Sequence, residues 1–188
     1  MSKEIVKHVR ELVRTTCDEV AKELPNQWEG HFLIVLDFAK ELAEKYPKAD
    51  REIIELAVYL HDFSRLYGGE EEHHLKSAAE AEKILSNLGY PNDRVVHVCD
   101  CIANHRTGGN PKTIEAKILS VADALSHFRA IPYFMWLRGR KKEEFRYSME
   151  WIFEKIGKDW KHRMMLPGAK DLVKKEYEAF KTLFKWLK

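Results

Sequence analysis

The sequence has little cysteine, and the three it has are not arranged for a metal or a disulfide framework. Cys17, Cys99 and Cys101 are the only cysteines in 188 residues, and no two of them have the CxxC spacing. Three cysteines cannot all pair within one chain, and zinc sites built from cysteine use closely spaced pairs. We therefore expect a reducing compartment, with the cytoplasm as the default, and no cysteine zinc site.

Long apolar runs and glycine-rich phosphate-binding motifs are also missing. No apolar stretch is long enough to span a bilayer, and the N-terminal segment MSKEIVKHVRELVRTTCDEV is charged where a signal peptide would have an apolar centre. Neither GxxxxGK[ST] nor GxGxxG occurs in the sequence. We expect a soluble protein with no membrane partner and no separate nucleotide-binding fold.

A large net charge is absent as well, but the charge is unevenly distributed. The net charge is +2, and from Arg138 onward the chain has 15 Lys and Arg against 8 Asp and Glu, compared with 17 against 22 before it. A basic C-terminal third could meet nucleic acid, an acidic lipid surface or a phosphorylated substrate. Because acidic residues are interleaved throughout this third, we favour a solvated helix surface and expect no nucleic-acid partner.

Helical periodicity is what the sequence does have. Apolar residues recur at spacings of 3, 4 and 7 almost from end to end, which predicts an all-α fold of about eight helices. We expect a single domain, residues 1–188, with a motif-bearing core at about 28–130 and C-terminal helices packed on it over 138–188. The predicted helices cover about 3–23, 29–46, 50–62, 74–88, 91–105 and 112–130, followed by two more. The segment 63–72, which contains Gly68 and Gly69, is predicted to be a loop.

Four side chains that can bind metals continue apolar helix stripes. His61, His105 and Asp123 each follow apolar residues at helical intervals, and His31 shares a helix face with Val35, Phe38 and Leu42. We therefore expect all four to point into the core. A buried carboxylate such as Asp123 needs a cation or strong hydrogen-bond donors. A divalent metal shared with His31 and His61 supplies that cation. A hydrogen-bonded core histidine or an Asp–Arg pair is the alternative for each residue alone, but the combination favours a metal.

The order of these residues resembles the HD superfamily of metal-dependent phosphohydrolases, whose motif is H…HD…D on a helical bundle. His31 in WEGHFLIVLDFAKELA matches the first histidine, His61-Asp62 matches the dyad, and Asp123 in VADAL matches the last aspartate. The resemblance covers about residues 28–130. It implies a metal held by these four residues and a metal-activated water that cleaves a phosphate ester or anhydride, with a nucleotide as the expected substrate.

The resemblance also implies a place for a second metal. Family members with extra histidines between the dyad and the last aspartate bind two metals, which the dyad aspartate bridges. His73 and His105 fit that role here, with His74 as the alternative to His73 and His97 close to the face of His105. With a single metal, His73 and His105 would instead act on the substrate. Imidazole and carboxylate ligands suit Mn, Fe, Co, Ni and Zn, and Mg less strongly, so the metal's identity stays open, and we expect one or two ions per chain.

Residues near the motif are candidates for the substrate side of the site. Asp62 and His105 are candidate catalytic residues, together with Arg65, which corresponds to the basic residue that often follows the dyad in the family. Arg106 is a further candidate for phosphate, and His127 is a candidate for proton transfer; a surface salt bridge and a solvent-facing side chain are the respective alternatives.

The segment 63–72 is a candidate lid, since two glycines give it freedom, and one of the glutamates at 70–72 could act as a general acid or base; a charged surface loop is the alternative. Tyr133, Phe134 and Trp136 are either a wall of the substrate pocket or part of the core.

Two other classes of function fit the same residues. One is a catalytically silent regulatory module that binds a metal or a nucleotide, and the other is a di-iron oxygenase of the HD type. The complete ligand set favours hydrolysis over a silent module, because a silent descendant need not retain every ligand.

Overall fold

A computed structural model describes residues 2–20, 25–68, 71–139 and 145–185 of the chain. These residues form nine α-helices and no strand, which confirms the predicted all-α fold class. The helices are α1 (Ser2–Glu19), α2 (Leu33–Glu44), α3 (Arg51–Leu60), α4 (His73–Asn87), α5 (Asn92–Ala103), α6 (Ile114–Arg129), α7 (Ile131–Gly139), α8 (Phe145–His162) and α9 (Lys174–Leu183). None of the helices in these ranges is both long enough and apolar enough to cross a membrane.

Helix α6 is the centre of the bundle. Every residue from Ile118 to Phe128 is buried, and helices α2, α3, α5 and α8 pack around it. A helix that is covered on all sides needs small or apolar residues around its whole circumference, as this one has. Its polar exceptions are therefore conspicuous, and one of them is Asp123. Thr113 begins the helix by accepting a hydrogen bond from the backbone N–H of Ala116 at 3.2 Å.

The chain enters α2 through a π-helical turn, Trp28–Phe32, where the sequence predicted continuous α-helix. Gly30 in this turn lies against Tyr133 of α7, and a Cβ atom at Gly30 would lie 3.0 Å from the tyrosine ring. The Tyr133 hydroxyl donates a hydrogen bond to the Pro25 carbonyl at 3.1 Å. Single π-turns concentrate at functional sites, and this one carries His31.

The segment after the His-Asp dyad is more ordered than the predicted loop. Phe63–Tyr67 forms a 3₁₀-helix, which ends at Gly68 with a φ of 89°. Ser64 ties this helix to α4, because its hydroxyl lies 3.0 Å from the Ser77 hydroxyl and donates to the His73 carbonyl at 3.0 Å. The predicted lid residues Gly69 and Glu70 lie outside the described residues.

The described residues after 130 (131–139 and 145–185) form three α-helices where the sequence predicted two. Helix α7 begins directly after α6, and Pro132 is its second residue. Proline ends a helix in mid-course but is tolerated in the first turn, where its missing N–H has no intrahelical acceptor. Pro132 therefore lies at a helix start, with the Phe134 N–H donating to the Ala130 carbonyl at 2.9 Å.

Candidate metal centre and active-site cavity

Side chains from separate segments converge beside the middle of α6. His31 comes from the π-turn, His61 and Asp62 from the end of α3, His105 from the end of α5 and Asp123 from the middle of α6. All five are buried, with 5% or less of each residue exposed. His73, at the start of α4, completes the group with 17% of its side chain exposed. The fold thus brings together the six residues that the sequence predicted as metal ligands.

The first part of the cluster surrounds His31 and His61. Their Nε2 atoms lie 3.0 Å apart. Asp123 Oδ1 is 3.6 Å from His31 Nε2 and 3.7 Å from His61 Nε2. Asp62 Oδ2 lies 3.4 Å from His31 Nε2 and 3.8 Å from His61 Nε2. Two imidazole nitrogens and two carboxylate oxygens therefore face a common point.

Hydrogen bonds at Nδ1 determine which ring nitrogen carries the hydrogen in the neutral forms of His61 and His105. His61 Nδ1 lies 2.7 Å from the Val58 carbonyl and His105 Nδ1 lies 2.6 Å from the Ile102 carbonyl. A carbonyl oxygen only accepts, so Nδ1 carries the hydrogen in both rings, and Nε2 of the neutral ring presents a lone pair to the cluster.

Ser126 gives His31 the same orientation. The serine hydroxyl donates to the Asp123 backbone carbonyl at 2.7 Å, and His31 Nδ1 lies 3.4 Å from that hydroxyl oxygen. With its hydrogen already donated, the hydroxyl accepts from Nδ1. When both rings are neutral, His31 and His61 therefore direct lone pairs at each other, which is a repulsive contact unless a proton or a metal ion lies between them.

Asp62 lies between two groups of histidines. Its Oδ2 atom faces His31 and His61, while its Oδ1 atom lies 3.5 Å from His73 Nε2 and 3.7 Å from His105 Nε2. The Oδ1 atom is buried and accepts no hydrogen bond from the described residues. A buried carboxylate oxygen without a donor is costly, and metal coordination would satisfy it.

Burial and neighbouring charges shift the pKa values of these groups strongly. Burial alone would raise the pKa of the Asp62 carboxyl, but Arg65 and His61 hold it well below its usual 3.8. Burial would lower the pKa of His61, but the Asp62 and Asp123 carboxylates raise it above 6.5. Burial, followed by repulsion from His61, lowers the pKa of His105 to about 3. The Asp62 and Asp123 carboxyls are therefore ionised at neutral pH, and both negative charges face the histidine nitrogens.

The alternative histidines lie elsewhere. His73 lines the cavity beside Asp62, whereas His74 is not among the described residues that line it. His97, in the middle of α5, has its Nε2 atom 3.2 Å from the Thr113 hydroxyl and 3.3 Å from Glu115 Oε2, at the start of α6. Of each pair, His73 and His105 therefore lie at the cluster.

The sequence analysis did not predict a buried network of ion pairs and hydrogen bonds that α8 and the turn after it contribute. Arg163 Nη2 donates to Asp123 Oδ2 at 2.8 Å and also to the carbonyls of His105 at 2.7 Å and Ser120 at 2.6 Å. Arg163 is 2% exposed. Burial alone would raise the pKa of the Asp123 carboxyl, but Arg163 and His127 hold it well below 3.8. With Oδ2 paired to Arg163, Asp123 turns Oδ1 to the two histidines.

Asp159 continues this network to His127. Its carboxylate is fully buried and lies 2.8 Å from both His127 Nδ1 and Lys155 Nζ. The opposite ring atom, His127 Nε2, is 3.6 Å from Asp123 Oδ1. His127 is 6% exposed, so the solvent-facing alternative for this residue is wrong. The sequence did carry a signal for α8, because Ile152, Ile156, Asp159 and Arg163 follow one another at spacings of 4, 3 and 4 on one face.

A cavity of about 330 Å³ opens beside the cluster. Cationic side chains, both predicted and unpredicted, dominate its lining, and Arg65 Nη1 lies 2.9 Å from Asp62 Oδ2. The lining residues are Asp62, Arg65, His73, His105, Arg106, Thr107, Asp123, His127, Lys155, Lys158 and Arg163. The volume is within the range for small-molecule sites, and the charge suits an anionic ligand.

Known proteins share this fold and motif region. The sequence profile of the HD domain family matches residues 28–127. No curated protein matches the chain. A predicted HD superfamily hydrolase from an uncultured Thermotogales bacterium is 21% identical with a TM-score of 0.61, over 96% of this chain and 91% of that one. An HD-superfamily hydrolase from Bacillus thuringiensis is 22% identical with a TM-score of 0.59, over 95% of each chain. The profile spans more than half of the sequence and includes His31, His61, Asp62 and Asp123, so the chain belongs to the HD domain family.

Proposed function

We propose that this chain is a metal-dependent phosphohydrolase that cleaves a phosphate ester or anhydride bond in a small phosphorylated molecule. One observation carries the proposal: His31 Nε2 and His61 Nε2 lie 3.0 Å apart while both rings direct lone pairs inward. A proton or a metal ion between the two nitrogens makes that contact favourable. The carboxylate oxygens of Asp62 and Asp123 beside it complete a set of nitrogen and oxygen donors that suits a divalent metal ion, which supports a metal at this point.

The donor atoms divide into two sets that share Asp62. His31, His61, Asp62 and Asp123 would hold one ion, and His73 and His105 would hold a second with the Oδ1 atom of Asp62, which accepts no hydrogen bond from the described residues; these distances support a bridging role for that carboxylate. The donor set of imidazole and carboxylate suits Mn, Fe, Co, Ni and Zn, and Mg less well. We propose one or two such ions per chain.

When bound, a divalent ion supplies Lewis acidity, which polarises phosphoryl oxygens and makes water more acidic near neutral pH. The chain's own residues do the rest. Arg65 and Arg106 lie where they can donate to phosphoryl oxygens, and Lys155 adds a third cation from α8. Asp159 fixes the ring of His127 with Nε2 towards the cavity, so this histidine is in position to exchange a proton with the leaving group.

The expected substrate within this class is a nucleotide, as the family resemblance implies, and we place the activity in the cytoplasm. We also propose that residues 1–188 act as one domain. Arg163 supports this arrangement, because a residue from the C-terminal third pairs with Asp123 in the motif-bearing core.

A metal add-back screen tests the proposal. The protein is stripped with a chelator, loaded with Mn²⁺, Co²⁺, Ni²⁺, Zn²⁺ or Mg²⁺, and assayed for phosphate release from a panel of nucleotides and phosphoesters. Asp62→Asn should abolish hydrolysis while the protein remains folded. Asp93→Asn, the same change at an exposed position on α5, is the matched control and should retain wild-type activity.

The outcomes of this screen distinguish the proposed hydrolase from a catalytically silent module. Wild-type protein that binds no metal by elemental analysis and isothermal titration contradicts the proposal. Metal binding without hydrolysis of any compound in the panel favours the catalytically silent module.

A further inference from the structure

An apolar recess adjoins the cationic cavity. It has a volume of about 190 Å³, and four apolar side chains from α7 and α8 form one side of it. These four residues are Phe134, Trp151, Ile152 and Ile156, and the recess shares Arg65, His73, His127 and Lys155 with the cavity. The sequence singled out Phe134 as a possible pocket wall, but it did not single out Trp151 for this role.

The wall of the recess begins at the candidate metal centre. The Phe134 ring centroid lies 5.1 Å from that of His127 and 6.5 Å from that of His31. Both contacts are edge-on, with interplanar angles of 63° and 68° respectively. A substrate group bound at the candidate metal centre would therefore lie close to the Phe134 ring.

The chemistry of the recess changes from one end to the other. Arg65 and Lys155 are among the residues that the recess shares with the cavity, no carboxylate is among the described residues that line it, and the residues it does not share present only hydrocarbon and aromatic rings. Trp151 is 38% exposed, although large aromatic side chains are usually better covered. A ligand that complements this gradient is anionic at one end and planar and apolar at the other.

We propose that the recess is a subsite for a planar apolar ring in the substrate, and that Phe134 and Trp151 make the enzyme selective for phosphates that carry such a ring. This inference rests on the proposed phosphohydrolase function and deepens it. The phosphate lies among the cations of the cavity, and the ring covers Trp151 and contacts Phe134. Phosphorylated compounds with small aliphatic groups leave the recess filled with water and bind less tightly.

Two phosphonates with the same anionic head test the subsite without any turnover. Phenylphosphonate and methylphosphonate are titrated calorimetrically into Mn²⁺-loaded protein, and their dissociation constants are compared. In the wild type, phenylphosphonate should bind about tenfold more tightly, as ring burial against aromatic side chains predicts. Trp151→Ala and Phe134→Ala should each reduce that ratio to about twofold or less, with methylphosphonate affinity unchanged.

Trp136→Ala is the matched control. Trp136 lies on α7 two residues after Phe134 and packs against Tyr133 at a centroid distance of 6.1 Å, outside the lining of the recess. Its removal should leave the ratio at the wild-type value. Circular dichroism checks that each variant is folded. If Trp151→Ala does not fold, Trp151→Phe replaces it in the experiment. Because phenylalanine keeps an aromatic ring, this variant should preserve most of the preference for phenylphosphonate over methylphosphonate.

The outcomes distinguish this inference from the proposed function. Equal wild-type affinity for the two phosphonates overturns the subsite while leaving phosphate hydrolysis intact. Equal loss of both phosphonates in Trp151→Ala also overturns it, because Trp151 would then act on the phosphate end or on the fold. If neither phosphonate binds and no phosphate is released from any substrate, the proposed function fails and the subsite fails with it.

Discussion

Replacing Arg163 with methionine tests whether α8 holds the candidate metal centre together. The guanidinium is 2% exposed and contacts Asp123 Oδ2 at 2.8 Å, and the same Nη2 atom reaches the carbonyls of His105 and Ser120. Methionine fills much of the same space but donates no hydrogen bond. The variant therefore leaves a buried carboxylate and two buried carbonyls without their donor.

The expected loss of stability follows from that geometry. Removing one partner of a buried ion pair costs about 3–5 kcal/mol, because the remaining charge stays buried and unpaired. Arg146→Met provides a matched control on the same helix. Arg146 pairs with Glu150 at 2.9 Å, but both side chains are about half exposed or more, at 63% and 48%. Such a surface pair contributes about 0–1 kcal/mol.

Urea denaturation of chelator-treated protein at pH 7, followed by circular dichroism, measures both changes. Metal is removed because a bound cation would compensate Asp123 and hide part of the loss. Adding Asp123→Asn to the Arg163→Met variant should recover part of the lost stability, since it removes the stranded charge. If Arg163→Met and Arg146→Met destabilise the protein by the same amount within about 1 kcal/mol, the buried pair does not have the role argued above.

Three further predictions concern the cluster and its supports. Gly30→Ala should cost about 1–3 kcal/mol of unfolding free energy, because the new Cβ meets the Tyr133 ring at 3.0 Å. Thermal unfolding measures the loss. If this contact is the cause, the double variant Gly30→Ala/Tyr133→Ala should be no less stable than Tyr133→Ala alone. The folded-state pKa of His105 is lowered from 6.5 to about 3 by burial and then by His61, so below about pH 6.5 the unfolded chain takes up a proton that the folded chain does not. The unfolding free energy of metal-free protein should therefore fall by up to about 1.4 kcal/mol per pH unit from this group as the pH drops from 6 to 4, and identical pH slopes in wild type and His105→Asn would refute it. Saturating metal at 100 times its dissociation constant should stabilise the wild type by about 2.7 kcal/mol, while His31→Asn should lose most of that gain; a melting temperature that a chelator does not change counts against the metal centre.

Much of the candidate site was predictable because it depends on helical phase. His61 and Asp123 lie on apolar stripes, and a side chain's direction around a helix follows from its spacing to its neighbours. The family resemblance, which the HD domain match confirms, rests on the same residues. The assignment of these side chains as metal ligands remains a prediction that the metal-binding experiments test.

Other features depended on contacts between distant parts of the chain. The π-turn that carries His31 lies where Gly30 packs against Tyr133, about 100 residues later, and no local pattern predicts that neighbour. The basic C-terminal third was interpreted as a solvated surface. Most of its charges are exposed, but Asp159 and Arg163 occupy the buried face of α8 and the turn after it, because α8 packs on α6 beside Asp123.

The amino-acid sequence by itself determined an all-α chain and the inward direction of its chemically important side chains, because helix formation and amphipathic phase are local properties. The tertiary structure alone decided which inward side chains meet. Packing of α2 and its π-turn against α3 set the 3.0 Å approach of His31 to His61. Packing of α8 added Arg163 and the apolar recess. These relations join residues tens of positions apart, and only the packed bundle fixes their distances.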